Sequence, residues 1–143
     1  KFPSFCLMLL FMSCGVGHPP FDRSTPDTKN NKYHFRHLVN LEPSTDVHGL
    51  YTYGNEMGID ASYLLTFKCG PETVLQIIKS NDMELDDQKG TVLYGIGTNV
   101  SWWNVSDIDT LTRYIYSSEN ERYFRYFWYN DYTNQGYFLY FDL

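Results

Sequence analysis

IDASYLLTFKCGPETVLQIIKS, residues Ile59 to Ser80, decides how the fold is read. Its first half has a period of two. Ile59, Ala61, Tyr63, Leu65, Phe67 and Cys69 form one apolar set, and Asp60, Ser62, Thr66 and Lys68 alternate with them, Leu64 being the exception. Alternation of this kind is a β-strand with one apolar face. At Gly70 the pattern changes. Gly70 stands where a helix is capped, Pro71 suits the first helical position, and Glu72 complements the positive end of the helix dipole. Val74, Leu75 and Ile78 then share a face with Ile77 at its margin, while Gln76 and Lys79 point outward. Asn81 stops the helix. The stretch therefore predicts a strand–helix unit that buries Leu75 and Ile78 against Tyr63, Leu65 and Phe67.

Working outward, Val47 to Gly54 reads as a strand, and Asn55 to Gly58 has turn chemistry, so a hairpin leads into the central strand. Ser80 to Gly90 reads as a polar, acidic loop; its Asp82, Glu84 and Asp86 lack the glycine and the terminal glutamate of a calcium loop. Thr91 to Asn104 holds one short strand and then the Trp102–Trp103 pair. Ser106 is expected to cap a helical turn, with Asp107 and Asp109 near its start. Three strands follow, Arg113 to Ser117, Arg122 to Tyr129 and Tyr137 to Leu143, joined by short turns that force antiparallel neighbours. The expected fold is α+β: an antiparallel sheet of about five to six strands with one main helix packed on one face.

The N-terminus has a different character. Phe2 to Met12 is almost wholly apolar and follows Lys1, but about 11 residues of helix reach only about 16 Å, short of a bilayer core of about 30 Å. A positive residue, a short apolar core and small residues fit an export signal. The end of that run, Phe11-Met12-Ser13-Cys14-Gly15, resembles the lipobox of bacterial lipoproteins, in which a small residue precedes a lipidated cysteine. Phe11 departs from the usual leucine. The resemblance covers residues 1–15 and implies a lipid on Cys14, a membrane attachment, and a place in the bacterial cell envelope at the outer membrane or periplasmic face. It implies nothing about the activity of the remainder. Residues 15–45 are rich in Gly, Pro, Asp, Asn and Thr at their start and read as a flexible tether. The domain plan is thus a lipoprotein-type signal over 1–14, a tether over 15–45, and a single α+β domain over 46–143. Cys69 is the one cysteine of that domain; if Cys14 carries no lipid, a Cys14–Cys69 bridge is the competing reading.

Composition narrows the function classes. A net charge of −6 with no Lys/Arg cluster argues against binding nucleic acid. Cys69 with His48 is the one nucleophile–base pair to consider, and Cys69 falls on the apolar side of its strand, where cysteine packs as a small hydrophobe. His34 and His37 form an H-x-x-H without a third ligand at fixed spacing, so no metal is expected. Asp46 with Asp60, and Asp107 with Asp109, are the carboxylate pairs. Each is better explained as solvated or as a helix-start residue. No phosphate loop or G-x-S-x-G occurs, and no cofactor is implied.

The aromatic share, 18%, is the remaining signal. The strand from Arg122 to Tyr129 is apolar on both faces, Phe124, Tyr126 and Trp128 on one and Tyr123, Phe127 and Tyr129 around Arg125 on the other. Either residues 15–45 or the Trp102–Trp103 segment cover the second face, or the strands present a platform. On the second view Tyr123, Arg125, Phe127 and Tyr129 form the candidate binding surface, for an envelope protein or polysaccharide. The sequence is read as a lipid-anchored, non-enzymatic binding or accessory module of the envelope. The alternatives are a small hydrolase-like enzyme using Asp60 or Cys69, and an immunity-type or structural accessory protein.

Overall fold

The computed structural model describes residues 17–56, 60–91, 96 and 99–143. The signal segment with Cys14, Gly58 of the first turn, Ile59 and most of the strand expected after Thr91 lie outside the described residues. In chain order the elements are α1 (Lys29–Leu38), β1 (His48–Asn55), β2 (Ala61–Lys68), α2 (Pro71–Ser80), β3 (Glu84–Lys89), α3 (Val105–Ile108), β4 (Thr112–Ser117), β5 (Tyr123–Asn130) and β6 (Gln135–Asp142). The strands form one six-stranded antiparallel sheet in the order β1-β2-β6-β5-β4-β3. The α+β class with an antiparallel, aromatic-rich sheet is therefore what this chain adopts.

Both sheet faces carry an apolar layer. On one, Leu65, Phe67, Phe127 and Phe138 join Phe35 and Val39 at α1 and Val74 and Ile77 of α2 in a single cluster. On the other, Leu64, Trp128, Tyr137 and Leu139 join Val100, Trp103 and Ile108. The Trp103 ring meets Trp128 and Tyr137 edge-on, at 6.1 and 5.7 Å. This explains the doubly apolar strands: Phe127 and Trp128 are neighbours in sequence, point to opposite faces, and are both fully buried. It also explains why Leu64 and Thr66, on the supposedly polar face of β2, are buried.

Four expectations need correction. The segment read as a tether instead supplies α1, capped by Thr28, and Phe35 and Val39 are wholly buried. Its polar composition is spent on satisfying buried groups. Asn31, fully buried, donates to the carbonyls of Thr25 and Leu50 at 2.9 and 2.8 Å and accepts from Thr52 Oγ1 at 2.6 Å. Asp27, at a positive φ of 60°, accepts from the amides of Gly49 and Leu50. These contacts cover edge strand β1. Second, α2 is rotated relative to its predicted phase: Leu75 is 67% exposed, whereas Ile77 is fully buried and Ile78 only partly so. Third, six residues of the acidic loop form β3, the opposite edge strand, where Asp86 pairs with Arg113 Nε at 2.7 Å. Charged side chains are tolerated on such an edge because they discourage further strand pairing. Fourth, α3 is capped by Asn104 rather than Ser106.

Candidate binding site

Register places the site. On the face carrying Phe127, the pairings Gly54–Tyr63, Tyr63–Tyr140, Arg125–Tyr140 and Tyr116–Arg125 align five residues in one row across β1, β2, β6, β5 and β4. Directly paired antiparallel residues point to the same side. The next row inward is Thr52, Leu65, Phe138, Phe127 and Tyr114, which packs under the helices. The next row outward holds Ala61, Asp142 and Tyr123. The two outer rows are only half-buried, and a cleft of about 320 Å³ opens over their Tyr63, Tyr140, Arg125 and Asp142. Tyr33, His34, His37 and Leu38 of α1 line it, as do His18, Phe21, Glu56 and Asp142.

Arg125 is the unusual group. Its guanidinium lies over the rings of Tyr116, Tyr123 and Tyr140, at 5.5, 5.6 and 5.6 Å from their centroids. Rings at this distance attract a cation through their negative faces. The tyrosines are themselves fixed: Tyr123 stacks on Tyr140 at 5.8 Å, and Tyr63 meets Tyr140 edge-on at 5.7 Å. Yet Nε of Arg125 is buried without a hydrogen-bond partner among the described residues. Rings hold the cation but accept no strong hydrogen bond from it, and a buried donor left unmet costs about 1–3 kcal/mol.

The segment before α1 forms the opposite lip. Phe21 stacks on His34 at 3.7 Å and lies on Gly54, where any β-carbon would come within 2.3 Å of its ring. His34 is buried, its Nε2 2.8 Å from the Pro19 carbonyl, and burial holds its pKa below the ordinary value. His18 goes the other way: the Pro19 carbonyl at Nδ1, and then Glu56 at 2.8 Å from Nε2, raise it. Tyr63 donates to the same Glu56 oxygen at 2.9 Å, and its hydroxyl is pushed up to about 12 by burial and by that carboxylate.

The residues singled out in the sequence fare unequally. Arg125 lines the cleft, and Tyr123 stands behind it, stacked on the lining residue Tyr140. Phe127 shares their face but is fully buried in the core, so it offers no contact surface. Tyr129 is tied down, its hydroxyl donating to the Cys69 carbonyl at 2.8 Å and bonded to Asn134. The candidate surface therefore corrects to Tyr123 and Arg125, joined by Tyr63, Tyr116 and Tyr140 from other strands. His34 and His37 line the same cleft, but among the described residues no three His, Cys, Asp or Glu side chains converge as a metal would need.

The chemical candidates have structural work elsewhere. Cys69 is buried, and desolvation pushes its thiol up to about 12, the opposite of an activated nucleophile. Asp46 ties down the start of α2, accepting from the Gly70 amide at 2.8 Å and from Thr73 Oγ1 at 2.9 Å. Asp107 holds Tyr137 and Asn130, each at 2.8 Å, on the opposite sheet face. Asp60 is exposed beside the β1–β2 turn.

The histidines were visible as a motif, but their partners were not. Tyr63, Tyr140, Arg125 and Tyr116 are distributed over four strands, and only the register assembles them. Compared with known proteins, this chain matches no family model, no curated protein and no solved structure.

Proposed function

We propose that this protein is a non-enzymatic binding module whose site is the cleft over Tyr63, Tyr140 and Arg125. One observation carries the reading: an arginine is held inside a cleft by three aromatic rings while its buried Nε has no partner among the described residues. A buried donor without a partner is rare in a folded protein and marks a place where the chain's own contacts are incomplete. The volume of about 320 Å³ suits a small molecule. The walls mix rings with a few polar groups, as such sites do. The lipobox-like run adds a second half to the proposal: the module is attached to the membrane of a bacterial cell envelope through a lipid on Cys14, facing the periplasm or outer membrane.

A neutral aromatic probe tests the site. Indole titrated into the protein should shift the ring resonances of Tyr63, Tyr116, Tyr123 and Tyr140. Tyr140→Ala should abolish the shifts, whereas Tyr132→Ala, at a fully solvated loop position, should leave them unchanged. Indole that leaves all four resonances unmoved refutes the site. Labelled palmitate should enter the protein and disappear in Cys14→Ala; equal labelling of that variant refutes the anchor.

A further inference from the structure

The cleft holds two opposite charges that form no ion pair with each other. Arg125 and Asp142 both line it. Arg125 pairs across the strands with Tyr140, and Asp142 with Tyr123, so the two are diagonal neighbours on β5 and β6. Diagonal positions lie about 7–8 Å apart, within reach of one small molecule. The ion pairs of the described residues join His18 to Glu56, Arg36 to Glu42 and Arg113 to Asp86; neither Arg125 nor Asp142 takes part in one. Nor does any hydrogen bond among the described residues engage either side chain's charged atoms.

The other charges facing the cleft are accounted for. Glu56 is shared by His18 and Tyr63. His34 is buried with Nε2 on the Pro19 carbonyl, and His37 holds the Tyr33 carbonyl through Nδ1 at 2.7 Å. The residual field is thus one cation and one anion side by side. A simple anion meets Asp142 as well as Arg125, and a simple cation meets the reverse. A molecule with both charges close together satisfies both groups.

Building on the binding-module reading, we infer that the ligand is a small zwitterion with an aromatic part, of the amino-acid class. Its carboxylate sits against the Arg125 guanidinium and its ammonium against Asp142. Its ring extends toward Tyr63, Phe21 and Leu38. The tyrosine cage makes the first contact directional: it fixes the guanidinium plane while leaving its N–H groups to bond a planar carboxylate.

Three probes separate the charges: phenylalanine, 3-phenylpropionate without the ammonium, and phenethylamine without the carboxylate. Each is titrated by calorimetry into the full chain at pH 7. A hydrogen bond to a charged group contributes enough that losing one partner should weaken binding about tenfold or more. Phenylalanine should therefore bind at least about tenfold tighter than either half-probe. Arg125→Lys, which keeps the charge, should weaken phenylalanine and phenylpropionate while leaving phenethylamine unchanged, and Arg125→Met should extend that loss. Asp142→Asn should do the converse. A half-probe that binds as tightly as phenylalanine overturns the inference, and so does a ranking that survives both substitutions. If indole binds and none of the three charged probes does, the zwitterion is wrong and the module stands. If indole fails too, both fall.

Discussion

Asn31 offers the sharpest test of how the N-terminal segment is held. Its amide spans three partners, and Asn31→Ala removes all three bonds at once. The losses are unequal. The Leu50 carbonyl keeps a second donor, the Asp27 amide at 2.9 Å, and the Thr25 carbonyl stands at an exposed residue where water can replace the lost bond. Thr52 is fully buried, so its hydroxyl becomes an orphan. One buried orphan costs about 1–3 kcal/mol, and with the small void left by the missing side chain the total should be about 2–4 kcal/mol. That is a large share of the about 5–15 kcal/mol available to a domain of this size. Urea unfolding should show a lower midpoint with an unchanged slope. Thr52→Val removes the other partner, so the double variant should be less destabilised than the sum of the singles by about 1–3 kcal/mol. Additive losses, or a cost below about 1 kcal/mol for Asn31→Ala, would refute the network. Because α1 forms a wall of the cleft, the same variant should also weaken indole binding.

Two further outcomes follow from the geometry. Ile77→Ala should cost about 2–5 kcal/mol and Leu75→Ala less than about 0.5 kcal/mol, since only Ile77 is buried; thermal unfolding that ranks them the other way would restore the helix phase predicted from sequence. His34 has a depressed pKa, so the unfolded chain protonates before the fold does. Its contribution is complete above about pH 6.5 and is lost as the pH falls from there toward the depressed value. His18, with a raised pKa, acts in the opposite sense, its contribution complete below pH 6.5 and lost as pH rises through the raised value. His34→Gln, which keeps a donor for Pro19, should therefore flatten the decline in melting temperature between pH 7 and 5; a slope equal to the wild type's would show that His34 is not the group responsible.

Strands whose alternation was strong were legible, and so was the start of α2, because local rules set both. The Pro71 and Glu72 positions and the Asn81 stop are as expected. The phase of α2 was not, because Val74, Leu75, Ile77 and Ile78 allow two overlapping apolar faces, and tertiary contact chose the one containing Ile77. Helix α1 was hidden by its own chemistry: KNNKYHFRHL has few apolar residues, and one of the groups it buries is an amide satisfied by β1, 21 residues away at Thr52. The strand β3 was hidden likewise, since ELDDQK has no apolar alternation and owes its place to pairing with β4 and to Arg113. Of the site, Tyr123 and Arg125 were legible as the one charge inside an aromatic strand. The neighbours that make a cleft of them were not, because strand order β2-β6-β5-β4 cannot be read from turns alone.

The position of the cleft follows from the lengths of the elements. Six strands spaced about 4.8 Å apart make a sheet about 24 Å wide, and eight-residue strands run about 26 Å. A ten-residue helix is only about 15 Å long and about 10 Å across. Neither α1 nor α2 is long enough to span the sheet in either direction, and both contribute to the cluster around Phe127 and Phe138. Same-face residues recur about every 6.6 Å along a strand, and the two rows beyond the buried one are only half-buried. Those rows are the Tyr63–Tyr140–Arg125–Tyr116 row and the Asp142–Tyr123 row beyond it. Leucine or phenylalanine there would expose an apolar patch. Tyrosine packs its ring against the inner row and keeps its hydroxyl at the surface, and Arg125 lays its stem among those rings. What begins as a problem of covering a sheet with helices too short for it thus produces a shelf with aromatic walls and a fixed cation.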